Sequence, residues 1–151
     1  MDKNRMEKAK PQPRFADHGP TPFVANIMCA AQQNQSFRTT FWTGLHLQMT
    51  LMDIPAGESI GVEVHPDTDQ YIRVEAGRGI VRMGESRDKL DDEHGFSFGD
   101  GIFVPAGTWH NIYNVGNGPL KLSSIYAPPH HKRATVHPSK TDAALEEHGN
   151  F

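Results

Sequence analysis

Four side chains in the middle of this 151-residue chain have the chemistry to share one metal ion: Glu63, His65, Gln70 and His110. On a strand, residues two apart point to the same face. Glu63 and His65 therefore project side by side, with Val62 and Val64 opposite. Pro66-Asp-Thr-Asp69 reads as a turn, and Gln70 opens the next strand in phase with Ile72 and Val74, an apolar and hence inward face. His110 follows a second Pro/Gly turn and is in phase with Ile112. One carboxylate and two imidazoles suit a first-row transition metal, with the amide oxygen as a weaker fourth ligand. The set carries a single negative charge, so a divalent ion leaves the site positive. Such a site polarises a bound oxygen or lowers the pKa of bound water. An inward carboxylate without a cation would be costly. The competing reading of His65 and His110 is a pair of satisfied buried histidines or a metal-free pocket. That of Gln70 is to orient a water or a substrate hydroxyl.

The elements that must position these groups read as strands. From Phe37 onward, FRTTFWTG and LHLQMTLMDI alternate, and Leu45, Leu47, Met49 and Leu51 are expected on one face. Strand-like runs follow at 61–65, 70–76, 79–84, 94–98, 101–105, 110–115 and 120–127. The breaks carry Gly, Pro, Asn or Asp, a texture that fits a sandwich, barrel or jelly roll. ESRDKLDDE (85–93) reads as a charged projecting loop, and 23–33 as one short helix with Phe23, Ile27 and Ala30 or Ala31 on one face and Cys29 packed as a small hydrophobe. Three units are expected: an N-terminal arm (1–22), a β-domain (23–127) and a C-terminal tail (128–151) ending in a short helix or frayed end. Among the other side chains, Tyr71, Tyr113 and Tyr126 are candidate proton donors. Trp109 reads as core or interface packing. His130, His131 and His137 follow the last strand and either fold over the mouth of the β-domain or sit exposed on a loop.

The spacing around the four candidate ligands resembles the paired motifs of the cupin superfamily. Gly57, five residues, Glu63-x-His65, four residues, Gln70, six residues and Gly77 keep the first motif's spacing, with Glu63 standing for the family's first His and Gln70 for its Glu. Gly99, five residues, Pro105-x-Gly107, two residues, His110, three residues and Asn114 match the second motif. The resemblance implies a double-stranded β-helix, the all-β jelly-roll barrel, with metal ligands at Glu63, His65, Gln70 and His110. The chain is similar to small cupins described as mannose-6-phosphate-isomerase-like. That likeness implies an isomerase-like or oxygenase activity on a small polar, oxygen-rich molecule such as a sugar derivative. The alternative is a non-catalytic domain that binds or senses a sugar or carboxylate. The ion would be zinc, iron, manganese or nickel. Cupins of this size commonly pair, and covering an exposed sheet edge is a physical motive for a homodimer.

Composition narrows the partners. A net charge of −3 without a long basic run gives no footprint for nucleic acid. The opening MDKNRMEKAK lacks the apolar stretch of a secretory signal. No run of about 18 apolar residues is present to span a membrane. The lone Cys29 cannot form an internal disulfide, so the expected compartment is the cytoplasm.

Overall fold

Turn residues at short intervals cut the chain into strands too short to be covered singly, and these close on one another as two sheets. The computed structural model describes residues 17–149, with side chains to 146. Along the chain run α1 (Ile27–Gln33), β1 (Arg38–Thr43), β2 (Gln48–Ile54), β3 (Asp69–Ala76), β4 (Arg78–Gly84), β5 (Asp92–Ser97), β6 (Gly101–Val104), β7 (Trp109–Asn114), β8 (Leu120–Ala127), β9 (Val136–His137) and α2 (Lys140–Gly149). The larger sheet has the order β6-β3-β8-β2-β1-β9, the smaller β5-β4-β7. Every pairing is antiparallel. Both sheets contribute to one core, with Ile54, Ile72, Val74, Leu120 and Leu122 from the larger and Val81, Phe96 and Ile112 from the smaller. This is a jelly-roll barrel, as expected.

Inside, the barrel is apolar at one end and polar at the other, and strand register decides which residues sit where. Leu122 pairs with Met52 and Val74, and Leu120 pairs with Ile54, forming the apolar rows. Two pairs further along β8, Ser124 lies between Thr50 and Ile72, and Tyr126 between Gln48 and Gln70. These polar residues are all buried.

The pattern of β2 differs from expectation. Its inward face is Gln48, Thr50, Met52 and Ile54, whereas Leu45 and Leu47 are exposed. The hydrophobic alternation misleads there because the mouth of the barrel is lined with polar side chains. The segment 61–65 does not form a continuous strand either. Gly61 takes φ of +89°, a left-handed conformation that breaks extended pairing. Only bridges at Ser59–Tyr113 and Glu63–His110 remain. β5 starts two residues earlier than expected, at Asp92, which shortens the charged loop. The helix is confined to 27–33. Asn26 caps it by accepting a hydrogen bond from Cys29 N, and Cys29 is exposed rather than packed. Phe23 stacks on His18 instead of joining the helix face. The first sixteen residues of the expected arm lie outside the described residues.

Residues 128–137 run across the polar mouth as a strap, tied by hydrogen bonds to the barrel and to residues 17 and 19. Gln48 Oε1 accepts from His130 N (3.2 Å) and His131 N (2.9 Å), while its Nε2 donates to the His131 carbonyl (2.8 Å) and Thr43 Oγ1 (3.0 Å). Arg133 donates to the carbonyls of Asp17 and Gly19. Asp17 Oδ2 accepts from Ala134 N at 3.1 Å and from Thr43 Oγ1, and its Oδ1 accepts from Gly19 N. Ala134 itself has φ of +65°, an unfavourable conformation for a residue with a Cβ, and these bonds hold it there.

Burial opposes the charge on Asp17, but hydrogen bonds from Thr43, Ala134 N, Gly19 N and Thr40 outweigh it and keep the carboxyl below its usual range. The folded pKa lies below the unfolded one. The stabilisation is therefore complete above the ordinary carboxylate pKa of about 4 and is lost as pH falls through the folded value. Asp17→Asn is expected to lower stability at pH 7 and to flatten its decline on acidification below pH about 4. Urea melts across that range test this, and parallel curves for the two proteins would refute it.

Candidate metal centre

The centre is assembled by one antiparallel bridge. Glu63 N donates to His110 O and His110 N to Glu63 O, both at 2.9 Å, so the two residues face one another across the pair and their side chains share the inner face. His65, two residues beyond Glu63, returns to the same side. It is fixed by Gly107 N donating to its carbonyl at 2.9 Å. Gly107 (φ +80°) belongs to the turn that delivers His110 into β7.

Three of the four candidate ligands converge. One ligand atom each from Glu63, His65 and His110 lies within 4.8 Å of the others. Glu63 Oε2 is 3.5 Å from His65 Nε2 and 3.9 Å from His110 Nε2. First-row ions bind N and O at about 2.0–2.2 Å, which places two donors on one ion roughly 3–3.5 Å apart. The three residues thus need only small adjustments to hold a cation. The His110 tautomer is set as well. Its Nδ1 lies 3.0 Å from the Thr108 carbonyl, so Nδ1 carries the proton and Nε2 keeps its lone pair toward Glu63. Burial, partly offset by the Thr108 bond and Glu63, lowers the His110 pKa and favours this neutral form.

Gln70 comes from the opposite wall. It is buried, its Nε2 is 3.4 Å from Ser124 Oγ, and its Oε1 is buried without a hydrogen-bond partner, as is His110 Nε2. Buried acceptors left in this state are costly unless something supplies a positive charge or a proton.

Two contributors escaped the sequence reading. Arg38, 1% exposed, reaches in from β1 and donates to Glu63 Oε1 at 2.9 Å. Burial works against ionisation of Glu63, but Arg38 and then His65 and His110 reverse that, holding the carboxyl well below the usual range. Arg38 occupies Oε1 and so leaves Oε2 to face the imidazoles. The available signal was a charged residue in the inward phase of a strand. The second is Gln48, which holds the strap.

Of the three candidate tyrosines only Tyr126 faces the centre, with its ring edge-on to His65 at 5.4 Å. Burial, moderated by Arg38, pushes its pKa up to about 12, so it keeps its proton. Tyr71 packs on Phe103, and Tyr113 lies under the Arg82 guanidinium. Trp109 is half-buried. His130 and His131 do reach the mouth. The His130 ring lies 4.2 Å from His65, and His131 lies 5.2 Å from Tyr126. His137 instead pairs with Glu146 of α2.

Comparison with known proteins agrees with this geometry. Residues 50–126 match the family model described as the cupin domain. The chain belongs to the cupin family. Among relatives of this cupin is the uncharacterized protein YrkC of Bacillus subtilis, 56% identical over 131 residues, spanning 87% of this chain and 70% of YrkC. The uncharacterized protein L612 of Acanthamoeba polyphaga mimivirus is 39% identical over 72% of this chain and 67% of its own length. The crystal structure of BH2720 from Bacillus halodurans superposes with a TM-score of 0.84 at 53% identity, covering 85% of this chain and 98% of that one. KdgF from Halomonas shares the fold at 17% identity (TM-score 0.55, 62% of this chain and 80% of that one). Among the described residues no helix is long and apolar enough to cross a membrane.

Proposed function

We propose that this cupin holds one divalent transition metal on Glu63, His65, His110 and Gln70. The loaded site would act on a small polar, oxygen-rich molecule such as a sugar derivative, in isomerase-like or oxygenase chemistry. The observation that carries this is the cluster of Glu63, His65 and His110, whose ligand atoms lie within 4.8 Å of one another, with both imidazole Nε2 atoms buried without a hydrogen-bond partner and the other Glu63 oxygen already taken by Arg38. A cation between them satisfies all three at once. When bound, such an ion supplies Lewis acidity toward a ligand oxygen.

The chain's own residues supply the rest. Arg38 fixes the Glu63 carboxylate, and Thr108 fixes the His110 tautomer. The Tyr126 hydroxyl retains a proton that it can donate toward a ligand oxygen. The strap restricts water at the mouth. The same enclosure favours a second reading, a binding domain that holds its ligand without turnover, since His65 and His110 are only 5% and 0% exposed.

Metal-loaded protein incubated with aldose–ketose pairs of sugar acids separates the two readings, with product formation and oxygen uptake followed together. Turnover that disappears with a chelator and returns with metal is the expected result. Ligand recovered unchanged after long incubation, with metal still bound, would overturn the enzymatic reading and leave the binding domain.

A further inference from the structure

The strap is fastened more firmly than a surface loop needs, and what it carries is a pair of imidazoles. Gln48 is fully buried, and each hydrogen bond its amide makes to the strap is with the backbone of His130 or His131. Residues 17 and 19 fasten Arg133 and Ala134 just beyond. The His130 ring is held against His65 at 4.2 Å, at 63° to it, and near-parallel to Tyr126 at 5.8 Å. The residue still keeps an exposed side. It therefore lies against a candidate ligand residue with one side open to solvent.

The charge count names the molecule. Glu63 is paired with Arg38, so together they contribute no net charge. His65, His110 and Gln70 bind a cation as neutral groups. Among the described residues the other buried acid at this end, Asp17, is tied by hydrogen bonds to residues 19, 43 and 134 rather than to the Glu63–His65–His110 cluster. A divalent ion here keeps a net positive charge in a largely desolvated chamber, where a neutral hydroxyl compensates poorly and an anionic oxygen compensates well.

We propose that His130 is a ligand-binding residue of this site and that the ligand is a small carboxylate held against the metal, with the His130 imidazole donating a hydrogen bond to it. The inference rests on the metal-binding reading above and specifies its ligand.

The test uses the full chain loaded with cobalt(II), a spectroscopic stand-in for the native ion, and titrates malonate and, separately, glycerol while following the visible spectrum. Parent, His130→Ala and His130→Gln are compared. All three are expected to hold the same cobalt and to melt alike. Malonate should perturb the parent spectrum, bind about tenfold or more weakly to His130→Ala, and recover part of that affinity in His130→Gln. Glycerol should leave the spectrum unchanged. His130→Ala with full cobalt and parental malonate affinity would overturn the role of His130. Glycerol binding as tightly as malonate would overturn the ligand class. A parent that takes up no cobalt would overturn the metal reading itself, a result distinct from both.

Discussion

A His65→Ala/His110→Ala double variant is expected to hold less than about a tenth of the metal bound by the parent, because it removes both of the nitrogen donors that give the set its affinity for first-row ions. The carboxylate and amide that remain are oxygen donors, and Glu63 stays committed through Oε1 to Arg38. Folding should survive. Neither imidazole belongs to the apolar cluster that ties the two sheets together. Elemental analysis of untagged parent and variant, with circular dichroism to confirm matched folding, decides the matter. Near-stoichiometric metal in the parent and none in the folded variant establishes the ligands. Iron or manganese would direct attention to oxygen chemistry, and zinc to isomerase or hydrolytic chemistry. Equal metal in both folded proteins would show that the ion sits elsewhere.

The candidate ligands were legible because their positions depend only on local rules. The period of two puts Glu63 beside His65, and the turn at 105–108 sets the phase of His110. The structure joins them through one backbone bridge. Gln70 was legible for the same reason, since its phase-mates Ile72 and Val74 are buried. What the sequence could not show is which residues arrive from strands distant in the chain. Arg38 is twenty-five residues from Glu63, and its side chain enters the site only because β1 pairs with β2 in one particular register. The same register put Gln48, not Leu47, on the inner face and so created the clamp for a strap eighty-two residues further on. Periodicity reports faces correctly when one face is apolar. At the mouth of this barrel both faces mix polar and apolar residues, and there the reading of 45–51 failed.

Arg38→Met offers the sharpest test of how the site is held together. Removing one partner of a buried ion pair typically costs about 3–5 kcal/mol, because the charge left behind has neither water nor counterion. Here the orphan would be Glu63, whose depressed pKa depends first on Arg38 among the charges around it. Arg38 also lies close to Tyr126, so some packing is lost with the charge. Metal-free Arg38→Met is therefore expected to unfold at markedly lower urea than the parent. Two further measurements separate charge from packing. Adding a divalent ion should restore part of the lost stability, since the cation becomes the counterion of Glu63 and binds only the folded state. The Arg38→Met/Glu63→Gln double variant should regain most of the stability without metal, because the orphaned charge has gone, yet bind metal far more weakly than the parent. If metal-free Arg38→Met were as stable as the parent, Glu63 would not be a buried carboxylate held by its guanidinium partner. If the double variant were as unstable as the single, Arg38 would matter for its packing and not for its charge.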